Sequence, residues 1–429
     1  VLAAVPARVL AGDPGEEEGE LRRLPTALVA PRSDLLSSIA AAAVQGLDPR
    51  WVGNLPVGIS FPQLESAVEA AAAGSARTNA GGLNQQVPFR NPAPAFSRNL
   101  IVSRAVGNFP TSTEPHIAAD PTDPDHLVMG VIDFNLASIA IYVSFDGGET
   151  WDGPRQPRYF REDFAVGGDP VIGFDREGNV YVSMLSIGIE EFQIGSLLSA
   201  ELVSTIVVSK STDGGLTWQD GVPAARSRVT TVSNVDSEGK ERGVITAGFL
   251  DKEWMSIGPS ANDPSKDAIY VTYTDFESST TILYADEVPF LTPVATETTI
   301  RTISSEDGGM TWSQPVQTSP TATFAESFGQ ERGSGAGGSG AFAPLTRSVD
   351  PSQVEQQAST ALRPQRFVQG SQPKVLSDGT VVVSWYDSSD DGVGQGLALL
   401  RVAVSTDGGR SFSEPIQAAV TREWHRPTR

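Results

Sequence analysis

The 429-residue chain contains no cysteine. Disulfides, thiolate metal sites and cysteine nucleophiles are excluded, and nothing follows about redox compartment. Histidine is scarce: His116, His126 and His425 are the three present, without metal-ligand spacing. Basic residues are few, with 31 Lys and Arg against 52 Asp and Glu, a formal net charge of −21. Such a chain would release few counterions from nucleic acid or an anionic membrane surface, so both are poor partners. No apolar run reaches transmembrane length. There is no Gly-x-Ser-x-Gly elbow and no Walker-type phosphate loop. The acidic balance points to a secreted or cell-surface protein. No Met opens the chain and no intact signal peptide is visible, so a processed or cut N-terminus is expected.

What the chain does have is a repeated octapeptide. It reads Ser144-Phe145-Asp146-Gly147-Gly148-Glu149-Thr150-Trp151 and returns from Ser211 to Trp218, from Ser305 to Trp312 and from Ser405 to Phe412. The form is Ser-x-Asp-Gly-Gly-x-Thr/Ser-aromatic. Recurrence at long intervals signals a repeat architecture. The aspartates Asp146, Asp213, Asp307 and Asp407 are spaced by 67, 94 and 100 residues. Short apolar strands flank each copy, as in Ile139–Val143 before the first and Leu399–Val404 before the last. Four such strands per unit, separated by turn residues, form the blades of a β-propeller. The units run at about 114–155, 167–223, 251–317 and 368–417.

Residues 1–97 differ. Leu35–Val44 and Gln63–Ala73 are Ala-rich and favour helix. Ala80–Ala95 reads as a linker. This arm is expected to be partly helical and to serve as a spacer or a surface for self-association. Insertions at Glu277–Thr298 and Ser319–Phe367 widen the later units, the second carrying the Gly-rich run Gly333–Gly340.

The octapeptide resembles the Asp box, or BNR repeat, of sialidase-like β-propellers, and the resemblance covers roughly residues 98–417. It implies an all-β Asp-box propeller at 98–429 whose four recognisable blades belong to a six-bladed or larger ring, C-terminally incomplete. It also implies that the four box aspartates are structural, on the face away from the active site. The two Gly of each box allow positive φ, and the Asp accepts backbone hydrogen bonds across the turn.

Function is expected at the opposite mouth, built by the loops leading into each innermost strand and by the ends of the second strands. The first set supplies Glu114, Asp169, Asp251, Lys252, Glu253 and Lys374; the second supplies Asp133, Asp275 and Asp387. That mouth is carboxylate-rich. Sialidases hold a sialoside carboxylate with three arginines, and neither set offers one. Phe89-Arg90-Asn91-Pro92 faintly resembles the family's first arginine motif, and Arg347, Arg363 and Arg366 lie in the second insertion. Asp251 and Glu253 share a side of an extended strand and form a candidate acid/base pair. Tyr386, beside Asp387, is the best-placed tyrosine, and Trp254 borders the mouth. Asp387, Ser389 and Asp391 have the opening spacing of a calcium loop, with Ala398 at the twelfth position in place of Glu. The leading expectation is a propeller that binds extracellular glycan or protein at an acidic mouth, with Ca²⁺ as the natural cation. The alternatives are a glycoside hydrolase of exo-sialidase type and a structural or assembly protein.

Overall fold

A computed structural model describes residues 22–23, 102, 112–133, 138–160, 162–163, 165–166, 168–195, 197–285, 288–325, 366–388 and 397–422. The two Ala-rich segments, the Phe89–Pro92 motif, the Gly-rich run, Ser389 and Asp391 lie outside them. The described residues form β-strands and turns, with no helix among them. None therefore offers a helix long and apolar enough to cross a membrane.

Four sheets, antiparallel apart from the short parallel pairing of Arg22–Arg23 with Leu197 and Leu198, make four propeller blades. The first comprises Ser112–Ala119, Leu127–Asp133, Ser138–Ser144 and Asp152–Arg155 in sequential order. The fourth repeats this with Val368–Val375, Val381–Asp387, Leu397–Ser405 and Ile416–Arg422. The second blade is built on Val171–Phe174, Val180–Ile194, Leu197–Ser211 and Val222–Arg226. The third is built on Glu241–Pro259, Asp267–Ala285, Val288–Ser305 and Val316–Gln317. The segment read as an insertion at 277–298 continues the second and third strands of this blade, in register as far as Ala285 opposite Val288. Its β-branched run Thr280-Thr281-Ile282 suits a half-buried pleated surface. There the lengthened hairpins of the second and third blades share a small core of Phe192, Ile194, Ile245 and Ile282.

The main core lies between blades. Val128, Ile132, Ile139 and Ile141 of the first pack on Ile172, Val182 and Met184 of the second. Leu185, Ile206 and Val208 of the second pack on Met255, Val271 and Tyr273 of the third. Tyr270 and Ile300 of the third meet Val381, Val383 and Trp385 of the fourth. Strands touching neighbours on both faces must be apolar on both, which explains their near-continuous hydrophobic runs. The blades approach closely: a Cβ on Gly258 would stand 2.9 Å from that of Val375.

All four octapeptides fold alike. The Ser hydroxyl donates to Asp Oδ1 at 2.7–2.8 Å and accepts the second glycine's N–H at 2.9 Å. The Thr or Ser hydroxyl donates to Asp Oδ2 at 2.5 Å. Both glycines have positive φ, for example 69° and 89° at Gly147 and Gly148. The aspartates are thus consumed inside their own turns. The register pairs Ser112 with Asp133 and Leu127 with Ser144, so the boxes sit at the blade end opposite Glu114 and Asp133.

Candidate functional site

The innermost strands carry an irregularity that ordinary strand sequences do not need. Register shifts fall between Thr113 and His116, between Asp251 and Trp254, and between Gln369 and Gln372. One residue in each bulge is left-handed: Glu114 at φ 52°, Lys252 at 53° and Gly370 at 67°. The second blade has Asp169 at φ 57° just before its innermost strand. Three of these four are not glycine, and each such residue costs about 1–3 kcal/mol unless its surroundings enforce it. Bulges re-aim side chains, and strain of this kind collects at functional sites.

The three bulges and the Asp169 turn converge. Glu114–His116, Asp169–Val171, Lys252–Trp254 and Gly370–Gln372 line one pocket of about 320 Å³, one triplet from each blade. Lys252 reaches from the third blade to the first two: its Nζ donates to Glu114 Oε1 at 3.1 Å and to Asp169 Oδ1 at 2.9 Å. Burial and the neighbouring Asp169 raise Glu114 from its ordinary 4.5 to about 7, against the opposing pull of Lys252. Burial disfavours the Lys252 ammonium, yet the charges of Asp169 and Glu114 outweigh it and raise its pKa. Glu253 is 1% exposed, and neither of its carboxyl oxygens has a hydrogen-bond partner. Burial, then the charges of Asp169 and Asp251, push it well above the ordinary carboxyl range and favour its neutral form. Ser371 Oγ and Asp169 Oδ2 are also buried without partners. His116 Nδ1 accepts the Ile172 N–H at 3.0 Å, which assigns its proton to Nε2, and burial lowers its pKa. Its ring meets Trp254 edge-on at 5.2 Å.

Of the residues singled out in the sequence, Glu114, Asp169, Lys252, Glu253 and Trp254 come together here. Asp251 is buried but does not line the pocket. The bulge at Lys252 breaks the strand alternation on which its pairing with Glu253 was argued. Tyr386 lies against Phe367 at 5.3 Å in the interblade core, its hydroxyl buried and unpartnered. His116, Gly370 and Ser371 are pocket residues that the sequence reading did not select. The shared Glu114-Pro115 and Asp169-Pro170 steps at equivalent positions were the available signal.

The view that the mouth lacks arginine needs correction. Asp275 accepts from Arg301 Nε at 2.6 Å. Asp387 accepts two bonds from Arg366, at 2.8 and 2.5 Å, and one from Arg401 Nε at 3.2 Å. Arg226 pairs with Asp163 beside Ser186. Arg301 and Arg401 sit on third strands opposite Tyr273 and Trp385 and reach along the ladder to the second-strand ends. A search confined to loops could not find them. None lines the pocket, and each is tied to a carboxylate. Asp133 is buried at its strand end. Among the described residues no group of three His, Asp or Glu is arranged to hold a metal ion.

Residues 142–152 match the BNR/Asp-box repeat family, so the first octapeptide is an Asp box by that criterion as well. No curated protein matches the chain. Among solved structures, a protein of unknown function from Dyadobacter fermentans is 14% identical, over 71% of this chain and 68% of its own, with a TM-score of 0.34. An alpha-L-arabinanase from Penicillium chrysogenum is 12% identical, over 72% and 81%, with a TM-score of 0.24. The intramolecular trans-sialidase from Ruminococcus gnavus is 13% identical, over 66% and 91%, with a TM-score of 0.21.

Proposed function

We propose that this chain is a secreted propeller that binds glycan in the pocket where its four innermost strands converge. One observation carries the reading: at four equivalent positions a left-handed residue, three of them not glycine, opens a triplet that lines a single cavity. Its lining suits a sugar. The edge-on pair of His116 and Trp254 offers ring surface to C–H groups. Glu114, Lys252, Glu253 and Ser371 offer donors and acceptors to hydroxyls. The test is calorimetric titration with a panel of oligosaccharides on the wild type and on Trp254→Ala. Binding that Trp254→Ala abolishes, with the circular dichroism spectrum retained, supports the reading. Binding that survives the substitution unchanged contradicts it.

A second reading, glycoside hydrolysis, is favoured by Glu114, whose range near 7 lets it hold or release a proton at neutral pH. Asp169, held by Lys252, would supply the accompanying carboxylate. Turnover of fluorogenic glycosides that fails in Glu114→Gln would establish it. Calcium at the Asp387 loop is tested by chelation. Arg366 and Arg401 already occupy the Asp387 oxygens, so EDTA is expected to leave the melting temperature unchanged; a drop would assign a cation to that loop.

A further inference from the structure

We propose that Glu253 and Ser371 form a buried subsite for sugar hydroxyls, and that the pocket accepts uncharged sugars while rejecting carboxylated ones. The inference rests on the glycan reading above and goes further by naming the substrate class.

Two observations carry it. The first is the set of unpartnered groups. Both oxygens of Glu253 and Ser371 Oγ are buried without a hydrogen bond, and Glu253 and Ser371 are each 1% exposed. Buried polar groups are nearly always satisfied, so several unsatisfied ones lining one cavity point to a ligand that satisfies them. The burial that favours the neutral form of Glu253 adds to this: a carboxylic acid donates one hydrogen bond and accepts others, as a hydroxyl also does.

The second observation is the charge inventory. Three acids line the pocket, and the one cation, Lys252, already donates to two of them. An ammonium has three N–H groups, so a single one remains for a ligand. Four described arginines at the second-strand ends and beside them are engaged elsewhere: Arg301 on Asp275, Arg366 and Arg401 on Asp387, and Arg226 on Asp163. Among the described residues no guanidinium lines the pocket, so a ligand carboxylate would stand beside Asp169 and Glu114 with a single Lys252 N–H to receive it, which disfavours the charged ligand. A ligand hydroxyl meets groups that lack partners, and a site built that way disfavours ligands that leave them unpaired.

The experiment measures affinity for matched neutral and carboxylated sugars, lactose against 3′-sialyllactose and neutral oligosaccharides against their uronic-acid counterparts. It uses the full chain as wild type, Glu253→Gln and Glu253→Leu. The wild type should bind at least one neutral sugar and its carboxylated partner at least about tenfold more weakly, as expected for loss of one charged contact. Glu253→Gln, which keeps a donor and an acceptor, should bind within about threefold of wild type, and Glu253→Leu at least about tenfold more weakly. A cooperative melt at or above the wild-type temperature for both variants ties the loss to the site. Carboxylated sugars bound as tightly as neutral ones, or Glu253→Leu binding as wild type, would overturn this inference and leave the glycan reading standing. A wild type that binds no sugar of the panel would overturn both.

Discussion

Replacing Glu114 by Gln should make the protein less sensitive to rising pH. Unfolded, the Glu114 carboxyl ionises at its ordinary 4.5; folded, it ionises at about 7 because burial and Asp169 oppose its charge. Between those values the unfolded chain holds fewer protons at this site, so stability falls as pH rises. The contribution is fully present below about 4.5 and lost as pH passes 7. At 1.36 kcal/mol per pH unit the span corresponds to about 3.4 kcal/mol. The side chain is 30% exposed, and solvent screening reduces this to about 1–2 kcal/mol. Gln mimics the neutral acid at every pH. Urea denaturation at pH 5 and pH 8 therefore gives nearly equal stabilities for wild type and Glu114→Gln at pH 5. At pH 8 the variant is more stable by about 1–2 kcal/mol. Every other titrating group is common to both proteins, so the difference between the two pH values isolates Glu114. A constant difference, or a variant less stable at pH 8, refutes the electrostatics drawn for the pocket.

Four further outcomes follow from other residues. Glu253→Leu removes a buried acid without partners and should stabilise the fold by about 1–3 kcal/mol, read as a melting temperature higher by roughly 2–5 °C; a fall in melting temperature would mean that the acid has a partner. Asp213→Ala removes the bonds from Ser211, Thr217 and the turn backbone and should cost about 1–2 kcal/mol in urea unfolding without changing sugar affinity. Asp407 is held down to about 2, chiefly by the Ser411 hydroxyl, so its contribution is present above about pH 4 and should be lost between pH 4 and 2 in acid unfolding. Asp387→Asn leaves Arg366 and Arg401 without their carboxylate and should cost about 3–5 kcal/mol by chemical denaturation, since breaking a buried ion pair strands its partners.

The turns were the most legible part of the sequence. An Asp box satisfies itself within eight residues, so its chemistry can be read without knowing what surrounds it, and Asp146, Asp213, Asp307 and Asp407 all have the bonds expected of them. The blades followed from strand spacing between the boxes. The pocket was half legible: Glu114, Asp169, Lys252, Glu253 and Trp254 were selected by position. The bulges were hidden, because left-handed backbone at Glu114, Asp169 and Lys252 runs against local preference and is imposed by the neighbouring blades. Arg301 and Arg401 escaped for a different reason. Each is an ordinary strand residue until the register carries its side chain to a carboxylate on the adjacent strand. The segment at 277–298 was read as an insertion because its added length, and not its strand pairing, is what the spacing of the boxes reveals.

The central claim is that ligand binds where the four innermost strands meet. Hydrogen exchange with and without a saturating neutral oligosaccharide tests it directly. The account predicts slowed exchange at peptides covering 112–116, 168–172, 252–256 and 369–372, with the four Asp-box turns unchanged. Protection confined to the box turns, or to the outer strands at 152–155 and 222–226, would contradict it.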